Sequence, residues 1–380
     1  MIRVQTIGVI GGGQLGRMFA IDAKRMGYDV VTLDPQERSP AGQVADAQIV
    51  ANYDDLVAMA QLGRRSDIIT YEFENVAIKS VSFLEESGKH VSPSSAVLRV
   101  TQDRILEKRF VSSLTIPTTE FAGVTGASDL SGAAEKVGFP AILKTVYGGY
   151  DGKGQWWVEN AVQAQAALAE ANGAQLILER VVEFEKEISV VATRDSKDRV
   201  VTFPVGENEH QNGILSMTFA PARIEEATAK RAQDIAAKIG RGLEIVGTYC
   251  VEFFLDYDGT LLVNEIAPRP HNSGHYTIDV TQCSQYEQHV RAICALPLAP
   301  PKLLSNAIMM NILGDGNGDR LLGVPQLLDD PSIELHLYGK RHAAAGRKMG
   351  HFTMVISGPI DEAAIGRARA AHAMLRWSST

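Results

Sequence analysis

Apolar runs alternate with amphipathic segments in the N-terminal part of the chain. Three runs have the length and apolar character of buried strands: Thr6 to Ile10, Asp29 to Leu33 and Asp67 to Phe73. The segment between the first two runs, Gln14 to Met26, has the spacing of a helix. Strands that alternate with helices predict a doubly wound domain with a parallel sheet. We place this domain at residues 1–100.

A second unit is predicted after a helical stretch that runs from Ser94 to Ser113. Short apolar segments flank a glycine-rich loop between Phe139 and Val158, and another strand is predicted at Gln175 to Arg180. Such a small sheet with a mobile loop is typical of a lid. We expect the lid to occupy about residues 117–183.

The body of this second unit and a C-terminal unit follow. Strands at Glu187 to Thr193 and a helix near Glu225 to Leu243 predict a catalytic body at residues 184–298, which completes a domain of residues 101–298. Prolines in Leu296 to Pro301 mark its end. A small domain at residues 299–380 is predicted from two strands, Ser332 to Tyr338 and His351 to Ile356, and one helix, Ile360 to Leu375. The fold class is therefore α/β, with α+β character in the lid and C-terminal parts.

The composition is that of an ordinary water-soluble protein and narrows the choice of partners. The chain has 380 residues, 45% of them apolar, and a net charge of -8, which argues against a nucleic acid or an anionic membrane as the main partner. The N-terminal sequence shows no signal-peptide pattern, and no apolar run approaches the roughly 18 residues of a membrane span. We expect a cytoplasmic protein. Its three cysteines are too few and too irregularly spaced for a disulfide framework.

Two glutamates, Glu252 and Glu265, lie near the ends of two apolar segments that meet at Asp256 to Gly259. A hairpin would place them opposite each other, where like charges destabilise a sheet. A divalent cation between the carboxylates removes this repulsion. The residues that follow add the guanidinium of Arg269 and neutral donors as far as His275. This combination is typical of a site that binds an anion beside Mg²⁺.

The turn Gly11 to Gly16 has the G-x-G-x-x-G pattern of a dinucleotide site, and Asp34 follows at the end of the next strand. Glycines also allow a tight turn and close helix packing, so the motif alone leaves three interpretations open: NAD binding, binding of another anion or ligand, and a purely structural turn.

A second glycine-rich segment, Gly148 to Gln155, directly follows the strand that carries Lys144. It is not a Walker loop, because neither Ser nor Thr follows its Gly-Lys pair. An exposed hairpin is the alternative to a phosphate-covering loop. Lys144 favours a nucleotide site, since an unpaired buried ammonium is costly.

Other charged segments are ambiguous by themselves. The run Glu183 to Glu187 is either a solvated face or part of a nucleotide site, and His210 is more often a loop residue than a ligand in such a context. The basic segment Tyr338 to His351 is either a solvated turn or the site of an anionic partner.

Taken together and in this order, these segments resemble the ATP-grasp superfamily and, within it, the 5-(carboxyamino)imidazole ribonucleotide synthetase family. The resemblance covers almost the whole chain. Its most specific segments are Tyr71 to Val76, Gly149 to Gln155, Asn264 to His275, Tyr338 to Lys340 and Gly346 to His351.

The resemblance implies an ATP-grasp fold in which a preATP-grasp domain precedes the ATP-grasp domain. It also implies a carbon–nitrogen ligase that uses ATP, Mg²⁺, bicarbonate and 5-aminoimidazole ribonucleotide, and a homodimer. Residues implied in ATP binding are Arg104, Lys144, Gly149, Tyr150, Asp151, Gly152, Lys153, Gly154, Gln155, Glu179, Arg180, Val181, Val182, Glu187, His210, Asn264 and Glu265. Residues implied in ribonucleotide binding are Gln14, Leu15, Glu72, Tyr150, Asp151, Asn272, Lys340, Arg347 and Lys348. The implied Mg²⁺ ligands are Glu252 and Glu265, and the implied catalytic residues are Lys144, Asp151 and Arg269.

The chain departs from related patterns at three points. Ala267 stands where many ATP-grasp enzymes have another oxygen ligand, and Ala344 and Ala345 replace an expected basic residue and proline. His271 and the two residues after it replace the Gln-Val-Glu of biotin carboxylases, so the general base is not assigned. The alternatives are another ATP-grasp ligase, such as a formate-dependent glycinamide ribonucleotide transformylase, an NAD-dependent oxidoreductase, and a nucleotide-binding regulator without turnover.

Overall fold

A parallel four-stranded sheet forms the N-terminal part of the chain, which a computed structural model describes for residues 5–148 and 154–378. Its elements are β1 (Thr6–Ile10), α1 (Gln14–Arg25), β2 (Asp29–Leu33), β3 (Ala47–Ile49), α2 (Leu56–Arg65), β4 (Ile68–Tyr71) and α3 (Ile78–Glu86). The strand order is β3-β2-β1-β4, with all pairs parallel. Parallel pairs need crossover connections, and here helices lie between β1 and β2 and between β3 and β4, but not between β2 and β3. The prediction of a doubly wound parallel sheet is confirmed.

The helical stretch predicted from Ser94 to Ser113 is two helices. They are α4 (Ser95–Thr101) and α5 (Arg104–Ser113). Asp103 begins the second helix, because its side chain accepts hydrogen bonds from the backbone N–H groups of Ile105 and Leu106, both at 2.9 Å. The predicted helical stretch is therefore present and is divided at this N-cap.

A small antiparallel sheet follows. Its elements are β5 (Phe121–Val124), α6 (Ala127–Val137), β6 (Ala141–Thr145), β7 (Gln155–Val158), α7 (Ala161–Glu170) and β8 (Leu176–Arg180). The order β5-β8-β6-β7 leaves one face for the two helices, which pack on it through the apolar positions of Leu130, Ala133 and Ala164. This sheet shares no strand with its neighbours, as expected for a lid.

A nine-stranded sheet makes up most of the remaining chain. Its first elements and their helices are β9 (Lys186–Arg194), β10 (Val200–Thr202), β11 (Gly206–Gln211), β12 (Ile214–Ala220), α8 (Glu226–Gly242), β13 (Gly247–Leu255), β14 (Leu261–Ala267), a 3-10 helix (Asn272–Gly274), α9 (Thr277–Val280) and α10 (Gln285–Ile293). Helix α8 packs on one face of the sheet through Ala232, Ala236 and Ile239, which contact a core that includes Val190 and Val251.

The C-terminal strands extend the same sheet. The elements are β15 (Asn306–Leu313), β16 (Arg320–Leu322), α11 (Val324–Leu328), β17 (Ile333–Leu337), β18 (Lys348–Ile356), α12 (Glu362–Ala373) and β19 (Arg376–Ser378). The sheet order is β14-β13-β9-β11-β12-β15-β18-β17, with β10 paired to β9. The boundary predicted at residue 298 therefore does not separate two sheets, because β15 pairs with β12 across it. Strands β16 and β19 form a separate pair.

The described residues include three free cysteines and no membrane-crossing helix. Cys250 and Cys283 are buried and Cys294 is partly buried, in agreement with the prediction of unpaired thiols. No helix in the described ranges combines the length and the apolar character that a membrane crossing requires.

One buried histidine joins the N-terminal sheet to the central one. The Nδ1 atom of His289 accepts a hydrogen bond from the backbone N–H of Thr248 at 2.9 Å, and its Nε2 atom lies 2.8 Å from Oγ1 of Thr70. The proton of the neutral ring is therefore on Nε2, which donates to Thr70. Burial lowers the pKa of His289 to about 3.

We predict that acid destabilises the protein through this histidine. Because its pKa is lower in the folded state, the unfolded chain binds the extra proton as the pH falls below about 6.5, and stability falls by about 1.4 kcal/mol per pH unit from this group. Urea unfolding at pH 7.0, 6.0 and 5.0 should show a smaller loss for His289→Gln than for the parent protein. The exposed His342, changed to Gln, is the matched control and should leave the slope unchanged. Equal slopes for the parent and His289→Gln would contradict the assignment.

Candidate active site

The predicted glutamate hairpin is present, and its two carboxylates face each other. Glu252 on β13 and Glu265 on β14 are directly paired residues of the antiparallel ladder. The turn closes between Asp256 and Thr260, whose N–H and C=O groups bond at 2.9 Å, with Gly259 in the left-handed region at φ 83°. The prediction that folding would oppose the two glutamates is confirmed.

The surroundings of the two carboxylates suit a divalent cation. Burial raises the pKa of Glu252 to about 8, and the nearby charge of Glu265 acts in the same direction. Arg104 lies 3.5 Å from Glu265, and Nε2 of His271 lies 3.4 Å from Glu252. Paired carboxylate oxygens are ligands that Mg²⁺ prefers, and a bound cation would relieve their repulsion. The residues therefore fit the metal that the sequence predicts.

A third carboxylate at this position was not predicted. Glu107 is buried on α5 and accepts a hydrogen bond from the backbone N–H of Ile266 at 2.7 Å. Burial, together with the neighbouring Glu265, raises the pKa of Glu107 to about 8. The available signal was its spacing, since Arg104 and Glu107 are three positions apart and share one face of a helix.

A cavity of about 420 Å³ brings together residues from every part of the chain. Predicted site residues that line it are Gln14, Leu15, Arg104, Lys144, Gln155, Glu187, His210, Glu252, Asn264, Glu265, Arg269, Asn272 and Lys348. The other predicted residues of the described part do not line it: Glu72, Gly154, Glu179, Arg180, Val181, Val182, Lys340 and Arg347. Predicted residues Gly149, Tyr150, Asp151, Gly152 and Lys153 lie outside the described residues.

Two lysines meet one glutamate beneath this cavity. The Nζ atom of Lys144 lies 2.7 Å from Oε2 of Glu179, and Nζ of Lys108 lies 3.7 Å from the same oxygen. Burial opposes the ionisation of Glu179, but the two ammonium groups outweigh it and lower its pKa to about 2. Oε1 of Glu179 has no hydrogen-bond partner among the described residues. Lys108 was not predicted, because its partner Glu179 is distant in sequence.

The segment Glu179 to Val182, which the resemblance implies in ATP binding, spans the end of β8. The side chain of Arg180 pairs with Glu120 at 2.7 Å, so it is engaged on the lid. The N–H of Val181 contacts the carbonyl of Pro140 at 3.4 Å. Val182 follows in irregular structure, where its backbone is not part of a ladder.

His210 lies on a strand, which corrects the prediction that it belongs to a loop. It is part of β11, where it is ion-paired with Glu187 of the neighbouring strand β9. Burial lowers the pKa of His210, but contact with Glu187 outweighs burial and raises the pKa above its usual value. The loop prediction was wrong because this strand consists mostly of polar residues, which hide its alternation.

Arg269 is held in place by a residue of the N-terminal part. Its Nε donates to the carboxylate of Glu74, and Nη1 donates to the carbonyl of Pro270 at 3.2 Å. Burial opposes the charge of Arg269, but Glu74 outweighs burial and raises the pKa further above its usual value. The side-chain amide of Gln102 donates hydrogen bonds to the carbonyls of Glu74 and Val76, which lie in the loop between β4 and α3. Glu74 and Gln102 line the cavity and were not predicted.

The N-terminal glycine turn is occupied by carboxylates of the protein itself. The N–H of Gly12 donates to Asp34 at 2.7 Å, and the N–H groups of Gly13 and Gly16 donate to Glu72, the latter at 2.7 Å. Tyr53 also donates to Asp34, at 2.6 Å. These amides and this aspartate are what a dinucleotide would need. These contacts favour the structural interpretation of the turn over NAD binding. The predicted substrate residue Glu72 binds the backbone at the start of α1.

Only part of the predicted basic cluster lines the cavity. Lys348, the first residue of β18, lines it. Lys340 donates to the carbonyl of Lys348 at 2.6 Å, which keeps its ammonium next to that strand. Arg347 donates to the carbonyl of His342 at 3.0 Å. The segment therefore supplies one cavity cation, with another cation beside it.

Three family models match successive parts of the chain. The ribonucleotide synthetase preATP-grasp domain matches residues 4–102, and the ATP-grasp domain matches residues 109–286. The phosphoribosylaminoimidazole carboxylase C-terminal domain matches residues 307–362. The predicted ATP-grasp fold, with a preATP-grasp domain before it, is confirmed.

Curated relatives match nearly the whole length. N5-carboxyaminoimidazole ribonucleotide synthase of Bacillus subtilis (strain 168) is 44% identical over 353 residues, which cover 92% of this chain and 91% of the relative. The protein of the same name from Brucella melitensis is 46% identical over 352 residues, which cover 92% of this chain and 96% of the relative. The chain belongs to the N5-carboxyaminoimidazole ribonucleotide synthase family.

Solved structures of this family share the fold. N5-carboxyaminoimidazole synthetase from Staphylococcus aureus, complexed with ADP, has a TM-score of 0.89 and 39% identity, and covers 97% of this chain and 96% of its own. N5-carboxyaminoimidazole synthase from Aspergillus clavatus, in complex with ADP and 5-aminoimidazole ribonucleotide, has a TM-score of 0.90 and 31% identity. The match covers 98% of this chain and 100% of the Aspergillus clavatus chain. The family that the motifs predicted is confirmed.

Proposed function

We propose that this enzyme uses ATP and bicarbonate to carboxylate the exocyclic amine of 5-aminoimidazole ribonucleotide. The products are N5-carboxyaminoimidazole ribonucleotide, ADP and phosphate, a step of purine biosynthesis. The observation that carries the proposal is that the opposed carboxylates Glu252 and Glu265 line one cavity with the cation Lys348 of the C-terminal strand. A site for phosphoryl transfer and a site for a phosphorylated substrate are thus combined. The family's named relatives support the same reaction.

The first half of the reaction makes an activated carboxylate. An oxygen of bicarbonate attacks the γ-phosphorus of ATP, the bond to ADP breaks, and carboxyphosphate forms. Glu252 and Glu265 would hold Mg²⁺, which when bound neutralises negative charge on the phosphates. Arg104, Lys144 and Arg269 would add positive charge around the transferring group.

The second half transfers CO2 to the amine. Carboxyphosphate loses phosphate, the released CO2 is attacked by the amine nitrogen, and a proton leaves that nitrogen. Asp151 is our candidate for accepting this proton. Gln155, with Gly149 to Gly154, would close over the site, since water destroys the intermediate.

The nucleotide would lie between the lid and β11. The rings of Phe184 and Phe254 are stacked with centroids 4.7 Å apart and line the cavity, which provides an apolar surface beside adenine. Glu187, with His210 next to it, would accept hydrogen bonds from the ribose hydroxyls. The backbone of residues 180–182 would contact the adenine edge. Oε1 of Glu179 would be a further acceptor for the amine of adenine, since it has no hydrogen-bond partner among the described residues.

The ribonucleotide would lie at the opposite end of the cavity. Lys348, with Lys340 and Arg347 beside it, would bind the phosphate group. Asn272 is fixed by two hydrogen bonds with Asn311, at 2.7 and 3.0 Å, and would orient the substrate. The remaining predicted contacts come from the N-terminal turn and the loop: Gln14, Leu15, Glu72, Tyr150 and Asp151.

Further proposals concern the domains, the cellular location and the oligomeric state of the protein. The division into residues 1–100, 101–298 and 299–380 is supported by the ranges of the three family models. The cytoplasmic location and the homodimer stay predictions. Ala267 leaves the number of metal ions open to measurement.

A coupled assay of ADP release tests the proposed reaction. We expect turnover with ATP, bicarbonate and 5-aminoimidazole ribonucleotide together. Formate with glycinamide ribonucleotide should give no turnover above background. Release of ADP only with formate would identify the transformylase reaction instead, and ATP binding without ADP release under either condition would identify a regulator.

A further inference from the structure

A second group of metal-ligating side chains lies outside the cavity. Asp279 on α9, His336 on β17 and His351 on β18 each place one ligand atom within 4.8 Å of the others. None of the three lines the cavity or takes part in the proposed reaction. In residues 5–148 and 154–378 this is the one group of three or more such side chains.

Backbone pairing fixes the two histidines side by side. His336 and His351 are direct partners in the β17–β18 ladder, and their rings stack with centroids 4.6 Å apart. The Nε2 atom of His336 lies 2.9 and 3.1 Å from the two carboxylate oxygens of Asp279. The three side chains therefore converge from two neighbouring strands and one helix.

One ring nitrogen of His351 makes no hydrogen bond with the described residues. Its ring is fully buried, and Nδ1 contacts the hydroxyl of Tyr338 at 2.8 Å. Nε2 of His351 has no hydrogen-bond partner among the described residues. Leaving a buried polar atom unpaired costs about 1–3 kcal/mol, so a ligand for this nitrogen would be stabilising.

We propose that Asp279, His336 and His351 bind a divalent transition-metal ion of the zinc class. Two imidazoles and one carboxylate are ligands that Zn²⁺ and Co²⁺ accept, whereas Mg²⁺ and Ca²⁺ prefer oxygen ligands alone. The metal would replace the proton that Nε2 of His336 shares with Asp279. Tetrahedral ligands at about 2.0 Å from zinc are about 3.3 Å apart, close to the observed separation of His336 and Asp279.

Tyr338 orients His351, and the exposed part of His336 opens the proposed site to solvent. With the metal on Nε2 of His351, its Nδ1–H donates to Tyr338, which is how metal-bound histidines are usually oriented. The side chain of His336 is 28% exposed, so an ion can reach the site from solvent. Three protein ligands leave a fourth position for water. The ammonium of Lys340 lies 5.6 Å from the centre of the Tyr338 ring.

The site would join separate parts of the chain. Asp279 belongs to α9 of the central part, whereas His336 lies on the C-terminal edge strand β17 and His351 on the neighbouring strand β18. Gln43 of the N-terminal part also reaches this region, since its Nε2 donates to the carbonyl of Gly339 at 2.9 Å. A metal that binds only the folded chain raises its stability. The expected role is therefore structural and independent of the proposed reaction.

Cobalt binding tests the proposal directly. The full-length protein is stripped with a chelator, saturated with Mg²⁺ to fill the carboxylate hairpin, and titrated with Co²⁺ while visible absorption is recorded. We expect one equivalent of Co²⁺ with the intense bands of a low-coordinate site. Asp279→Asn and His336→Gln, which keep the shape of each side chain, should bind Co²⁺ at least about tenfold more weakly. They should also lose the rise in melting temperature that Zn²⁺ gives the parent protein.

An exposed pair formed by one histidine and one aspartate provides the matched control. His342 lies 3.2 Å from Asp319, and the described part of the chain offers no third ligand there, so His342→Gln should keep both the cobalt spectrum and the zinc-induced stabilisation. Melting without metal checks that each variant is folded. The proposal is overturned if the parent protein binds no Co²⁺, or if Asp279→Asn and His336→Gln bind it as the parent does. Since the readout is metal binding, its failure leaves the carboxylation assay unaffected.

Discussion

Replacing Glu265 with Gln should lower the rate of ADP release by at least about 100-fold, because it removes one of two ligands that face each other at the phosphoryl-transfer site. The amide is close to the carboxylate in size but carries no charge. Glu252 would lose its carboxylate partner across the ladder, and Ala267, which pairs with Cys250, supplies no side-chain oxygen to replace it. The measurement is ADP release with saturating bicarbonate and 5-aminoimidazole ribonucleotide.

A second readout separates metal binding from folding. Mg²⁺ with ATP should raise the melting temperature of the parent protein and should have little effect on Glu265→Gln. Without ligands the variant should melt close to the parent, since the substitution also removes repulsion with Glu252. Asp258→Asn, in the turn of the same hairpin, is the matched control and should retain turnover. Normal turnover of Glu265→Gln would refute the metal assignment.

Replacing Glu179 with Gln should lower the free energy of unfolding by about 3–5 kcal/mol, because it leaves two buried ammonium groups without their shared counter-charge. The side chains of Glu179 and Lys108 are only 3% and 2% exposed, so water cannot replace the lost carboxylate. Urea unfolding at pH 7 measures the change.

The cause of this loss can be checked with a second substitution. Lys108→Met removes one of the two ammonium groups, so the double variant Glu179→Gln with Lys108→Met should recover part of the stability. Lys230 and Asp234 form an exposed pair, and Asp234→Asn should change stability by less than about 1 kcal/mol. A Glu179→Gln variant as stable as the parent would show that the buried cluster is not the source of stability.

The sequence predicted those parts of the site whose signals are local. The glutamate hairpin follows from two apolar segments and a turn with Gly259, all within 16 positions of Glu252. The parallel N-terminal sheet likewise follows from short segments and their alternation. In both cases the partners are close in sequence, so the pattern of one segment restricts its neighbour.

Contacts between distant segments could not be predicted in this way. Glu107 binds the backbone of Ile266, 159 positions away, and Glu74 binds Arg269, 195 positions away. No local pattern marks such pairs. The same holds for the pairing of β12 with β15, which makes the C-terminal strands part of the central sheet.

The polar sequence of β11 prevented its prediction as a strand. Strand β11 contains Glu207, Asn208 and His210, and its polar side chains form ion pairs and hydrogen bonds instead of an apolar face. Glu207 pairs with Arg223 and Lys186. A sequence that places polar residues at buried positions departs from the hydrophobic alternation, and such departures concentrate at active sites.

The continuity of the nine-stranded sheet limits how the enzyme can fit its substrate. Five strand-to-strand steps separate β13 from β18, which would be about 24 Å in a flat sheet. Glu252 and Lys348 nevertheless line the same cavity. Backbone hydrogen bonds connect every strand between them, and these two ends cannot separate as rigid bodies. The continuous sheet, and not a hinge, therefore sets the distance between the carboxylate hairpin and Lys348.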